Sequence, residues 1–245
     1  ILTEIEALPK SLLFWRSSTH FIGGLGVIVF LLMILPDSSP AKLRLTHLEL
    51  SSLSKEGYRY KTSTITRVMV TVYIGLTIVE TLLLWAAGMS LFDAVNHAFS
   101  TVATGGFSTK NTSVMYFDST SIDIIITVFM ALSAMHFGVI FAIVAGRSLK
   151  PLKHSVTKYY LGIIAVCSII ITFSLKTQGG YESWGRALLD STFQTVSYLT
   201  TTGFGQADNA IAMKAGNDLI MPGTGGNKKE ILDGIKNNVI SQKDL

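Results

Sequence analysis

The sequence predicts an all-α, membrane-embedded fold in which one unit recurs: an apolar span, a short re-entrant helix, a glycine turn and a second span. Three observations predict it. Of 245 residues, 49% are hydrophobic and only 15% are charged, whereas a soluble domain carries about a quarter charged residues. The apolar residues also lie in long runs rather than periodic faces, and a run of roughly 20 crosses a hydrocarbon core of about 30 Å. Finally, a short amphiphilic segment with a Thr/Gly/Phe cluster directly behind it occurs twice.

Taken in order, the first span runs from about Ser17 to Leu35 and stops at Pro36-Asp37, with Trp15 and Arg16 as an interfacial anchor. A polar segment with Lys42, Arg44, Lys55, Arg59, Lys61 and Arg67 leads to the second span, Val68 to Ala87. The third span covers Ile122 to Ala145. After Arg147, Lys150, Lys153 and Lys158 comes the fourth, about Tyr159 to Leu175. The opposite loops hold few cations: Lys110 in one, Lys176 and Arg186 near the other. Excess Lys and Arg marks the cytoplasmic side, so both basic loops are expected inside, where they set topology rather than bind nucleic acid.

Two outward segments are of helical length but too short and polar to span: LFDAVNHAFSTV (Leu91 to Val102) and WGRALLDSTFQTVSYL (Trp184 to Leu199). Non-helical backbone at membrane depth is tolerated only where protein covers it or a water-filled cavity flanks it. A short helix that enters, turns at glycines and returns meets that condition. Placing Phe107 on Phe204 brings Gly106 onto Gly203, Thr104 onto Thr201 and Ser100 onto Ser197. The opening span then reads as the closing span of an earlier unit, and the start at Ile1 reads as a fragment or a trimmed chain.

The chemistry of the two clusters follows from what an alkali cation needs, which is a shell of oxygens. Rings of backbone carbonyls supply it in potassium filters, glycine reaches the necessary backbone angles at little cost, and threonine adds a hydroxyl oxygen. A short helix aims its partly negative C-terminal end at the same point. Thr201, Thr202, Gly203, Phe204 and Gly205 match the T-x-G-aromatic-G pattern. Thr104, Gly105, Gly106 and Phe107 give a looser version, closed by Ser108. Either cluster alone is readable as an ordinary loop turn; two in one topological slot favour an ion-binding role for all nine residues.

Other classes find little support. The lone cysteine, Cys167, lies in an apolar run and offers neither a disulfide framework nor a zinc site. No nucleotide loop, metal cluster or nucleophile–base pair stands out, so neither an enzyme nor a cofactor is expected. Glu80 and His136 lie within spans, where ionisable groups are functional candidates; packing is the preferred reading of both. The glycines beside His20, at 23, 24 and 26, suit close helix contact or bending.

Three stretches, FWRSSTHFIGGLGVIVF (Phe14 to Phe30), HAFSTVATGGFST (His97 to Thr109) and TVSYLTTTGFGQAD (Thr195 to Asp208), resemble the Trk/Ktr/HKT superfamily of potassium transporters, most of all the bacterial Trk-type membrane subunit. The resemblance covers residues 1–207 and implies potassium uptake through a pseudo-fourfold pore of four span–pore helix–span repeats. Gly106 and Gly203 would be central filter glycines of the second and third repeats. It implies a multi-pass protein of the bacterial inner membrane, a homodimer, and a cytoplasmic nucleotide-binding regulatory subunit. Against that plan this chain holds two of four filter strands, an incomplete pore.

Residues 208–245 are polar. AMKAGNDLIMPG and EILDGIKN within them resemble a fragment of glycoside hydrolase family 3, with a helix start at Asn227 and Glu230. Glycoside hydrolysis normally needs paired carboxylates, and Asp208 and Asp218 lack the family nucleophile's setting. The alternative to transport is therefore a non-conducting fusion or remnant with an inactive tail.

Overall fold

The computed structural model describes residues 5–26, 62–135, 139–140, 143, 155–177, 181 and 183–205. Every regular element among them is helical: α1 (Lys10–Leu25), α2 (Thr62–Ala86), α3 (Leu91–Val102), a short 3-10 turn (Ser113–Phe117), α4 (Thr120–Ser133), α5 (Ser155–Thr177) and α6 (Trp184–Leu199). The two basic segments between spans lie largely outside the described residues, as do His136 and residues 206–245.

α2 and α5 are long and apolar enough to cross a membrane. Their 25 and 23 residues rise about 37 and 35 Å at the standard α-helical pitch. Large apolar residues cover their outer faces: Ile74, Ile78, Leu82 and Trp85 on one, Tyr159, Val166, Ile170 and Phe173 on the other. Hydrocarbon surroundings select for such a surface, and water does not. The inner face of α2 carries Tyr73, Thr77, Glu80 and Leu84, all buried. Glu80 is completely enclosed there, facing Thr101 of α3.

Two spans differ from expectation. The first is helical from Lys10, seven residues ahead of Ser17, and ends at Leu25, where Gly26 takes φ +79°; residues 27–35 lie outside the described part. The Gly26 N–H bonds the Gly23 carbonyl at 3.0 Å, and glycine reaches that positive φ at little cost. The third span is not one unbroken helix over 122–145. α4 stops at Ser133, and its last turn tightens as Met135 N–H bonds the Leu132 carbonyl; such 3-10 closure is a common helix ending.

The short helices lie at the centre of the packing. α2 packs on α3 and α5 on α6, so each long span covers the short helix that follows it. α1 packs on α3 as α4 packs on α6, the relation expected if α1 closes a preceding unit. Close approach of α1 is permitted by Gly24: a Cβ there would lie 2.7 Å from Ala103 Cα and from Tyr73 Oη. One apolar cluster, including Leu84, Ile126, Met130, Ile164, Phe193 and Phe204, joins both units.

Candidate functional site

The two turns grow directly out of the ends of α3 and α6, and they do so in the same way. At the first, Thr104 N–H bonds the Thr101 carbonyl at 2.9 Å and Gly105 N–H bonds Ser100 at 2.8 Å. At the second, Thr201 N–H bonds Tyr198 at 3.1 Å and Thr202 N–H bonds Ser197 at 2.9 Å. These paired bonds form a Schellman cap, whose left-handed slot usually holds glycine. Here threonine fills it twice, at φ +51° for Thr104 and +58° for Thr201. Two residues on, Gly106 and Gly203 are again left-handed, at +68° and +83°.

A β-branched residue in that region is a genuine outlier and costs roughly 1–2 kcal/mol. The surroundings must hold it there, and each turn is tied back to its helix by one serine. Ser100 Oγ accepts the Phe107 N–H at 2.5 Å, and Ser197 Oγ donates to the Phe204 carbonyl at 2.9 Å. Both ties span seven residues, with opposite polarity.

The repeat extends upstream. Asp93 and Asp190 occupy one slot in the first half of each short helix. Asp93 caps α3 with Ser90 and accepts from Thr109 Oγ1 at 2.6 Å, pinning the strand that leaves the first turn. Asp190 pairs with Arg186 at 3.1 Å, and the same guanidinium lies 3.4 Å from the buried Asp123 of α4. Burial raises the Asp190 carboxyl above its ordinary range, opposed by the Arg186 charge.

The turns meet. A Cβ on Gly106 would overlap the Thr202 carbonyl oxygen, and one on Gly105 would overlap His20 Nδ1. Gly203 faces open space. Along the second turn, Thr202 and Phe204 are buried while Thr201 and Gly203 are exposed, so the left-handed positions mark its open face. Phe107 stacks on the His20 ring at 3.5 Å, with the Arg16 guanidinium 3.7 Å from its centroid. Arg16 thus reaches the first turn rather than serving only as an interfacial anchor, while Trp15 is exposed. Phe204 is held within the core, and Gly205 N–H bonds Ser113 Oγ at 3.1 Å.

All nine residues expected to bind an ion therefore lie on two adjoining turns at helix C-terminal ends. Such ends favour cations, and glycine at positive φ turns the backbone where side chains are excluded. Sequence reasoning missed the braces: His97, Ser108, Ser113 and the pair Ser100/Ser197 as ties. Register offered one signal, since the offset that superposes the turns also superposes Asp93 on Asp190 and His97 on Gln194.

The chain is similar to known proteins over most of its length. The Trk system potassium uptake protein TrkH of Salmonella typhimurium is 36% identical over 205 residues, covering 83% of this chain and 42% of that protein. Its counterpart in Escherichia coli K12 is 34% identical over the same shares. The crystal structure of the potassium transporter TrkH from Vibrio parahaemolyticus superposes with a TM-score of 0.71 at 32% identity, over 86% of this chain and 42% of that one. The chain thus spans about two fifths of the length of the relatives it matches. The family described as TrkH, cation transport protein, matches residues 1–163. With two long apolar helices, two capped short helices and these relatives, the chain is a membrane protein belonging to the TrkH family of cation transport proteins.

Proposed function

We propose that this chain supplies two of the filter turns of a potassium-uptake pore. Thr104–Gly105–Gly106–Phe107 and Thr201–Thr202–Gly203–Phe204–Gly205 would offer backbone carbonyl and threonine oxygens to a partly dehydrated potassium ion. The observation that carries this reading is the matched backbone: the same cap, the same left-handed Thr and Gly, and a serine seven residues back tying each turn to its helix, through the N–H in one and the carbonyl in the other. Ion passage needs no covalent step, so the chain acts without a catalytic group or cofactor. Potassium is its cargo.

The Salmonella and E. coli relatives are potassium uptake proteins of a Trk system, which supports placing this chain in the bacterial inner membrane. The resemblance further supports a homodimer and a cytoplasmic nucleotide-binding subunit meeting the basic inward loops. Residues 208–245 add no hydrolase chemistry on this reading.

The test is growth of potassium-starved cells lacking their own importers. Residues 1–205 would replace the matching stretch of the E. coli relative, with and without Gly203→Ser, beside the chain expressed alone. Rescue by the hybrid and its loss in Gly203→Ser are expected. A well-expressed hybrid that never rescues would overturn the proposal.

A further inference from the structure

His97 touches both turns. Its ring is completely buried in α3. Nδ1 lies 2.8 Å from the Asp93 carbonyl oxygen, and Nε2 lies 2.9 Å from Ser108 Oγ, at the end of the first turn. The ring face lies 5.8 Å from Phe204 of the second turn at an interplanar angle of 23°, and Phe117 meets its edge at 5.4 Å. A carbonyl only accepts, so Nδ1 carries the ring proton. Ser108 Oγ already accepts the Lys110 N–H at 3.0 Å, which leaves its own hydroxyl hydrogen to donate to Nε2. Every polar atom of the ring is then satisfied in the neutral, Nδ1–H tautomer.

We propose that His97 is a positioning residue for ion selection, fixing the spacing of the two filter turns through its Ser108 hydrogen bond and its Phe204 stack. The inference rests on the filter reading above for its consequence, but not for its geometry. The first turn is held from behind by Nε2. The second has no ring in the equivalent slot, which Gln194 fills; its end is fixed instead by Ser113 and by the face of His97. One side chain therefore links two strands whose carbonyl spacing decides which dehydrated ion fits. Glutamine places an amide oxygen near the position of Nε2, so His97→Gln keeps the acceptor for Ser108, whereas His97→Leu removes it at similar bulk.

The test uses the full chain in detergent or nanodiscs. Ring ¹⁵N shifts of labelled histidine are expected to show His97 as the neutral Nδ1–H tautomer. In His97→Leu, amide exchange is expected to rise about tenfold at both turns, the population change one buried hydrogen bond commands. Exchange in α5 should not change, and His97→Gln should restore the first turn. An Nε2–H tautomer, or exchange that rises at neither turn or at the first alone, would overturn the proposal. In the uptake hybrid, His97→Leu is expected to lower potassium-over-sodium discrimination about tenfold with expression intact, and Ser108→Ala to reproduce part of that loss. Unchanged discrimination in a working hybrid would also overturn it. A hybrid that transports nothing with His97 in place would instead refute the filter reading, and the ring and exchange data would still decide the positioning role.

Discussion

Two glycines at the same slot face different obstacles. Gly203→Ala meets open space and suffers only its left-handed φ, while Gly106→Ala meets the Thr202 carbonyl as well. The first is expected to cost about 1 kcal/mol and the second a further 1–3 kcal/mol from overpacking, separable by thermal unfolding in detergent. The serines differ too. Ser100→Ala orphans an N–H at Phe107, and Ser197→Ala orphans a carbonyl at Phe204. The Phe204 carbonyl is buried and the Phe107 N–H only partly so, so Ser197→Ala is expected to destabilise more, by about 1–3 kcal/mol. The Thr/Gly/Phe clusters were legible in the sequence because their residue types are local requirements of a tight turn. His97 was not, because its role depends on Ser108 eleven positions away and on Phe204 in another unit. A histidine on an amphiphilic helix gives no sign of either.

At the scale of elements, the short helices Leu91–Val102 and Trp184–Leu199 have the predicted bounds. Polar residues and glycines punctuate both ends, so their limits are written locally. The long spans were legible as apolar runs, but their ends were not. α1 ends where Gly26 goes left-handed, and α4 ends in a tightened turn within an apolar run, where hydropathy changes little. The seam between α1 and α3 depends on Gly24: Gly24→Val is expected to separate them and lower stability by about 1–3 kcal/mol, measured by unfolding in detergent. The join between α4 and α6 depends on Arg186, shared by Asp123 and Asp190. Arg186→Met is expected to cost about 2 kcal/mol, less than a fully buried pair because the guanidinium is partly exposed. Adding Asp123→Asn should recover part of the loss, whereas independent effects would simply sum.

At the scale of the molecule, the units share a backbone plan but not their supports. The first turn leans on α1 through His20 and Arg16; the second is set into the common core through Phe204 and reaches Ser113 across the chain. The repeat is visible in sequence because each turn's chemistry recurs. The asymmetry of support is not, since it lies in side chains that have diverged. The cap bonds also bear on the order of synthesis. Each cap closes over five residues or fewer, whereas the Gly205–Ser113 bond joins positions 92 apart. Short loops close first and cheaply, so the first turn is free to take its shape while the second is still on the ribosome. The late bond then fixes the end of the second turn against a first turn already capped, and a newly copied unit would bring its own cap bonds while taking its remaining support from its neighbour.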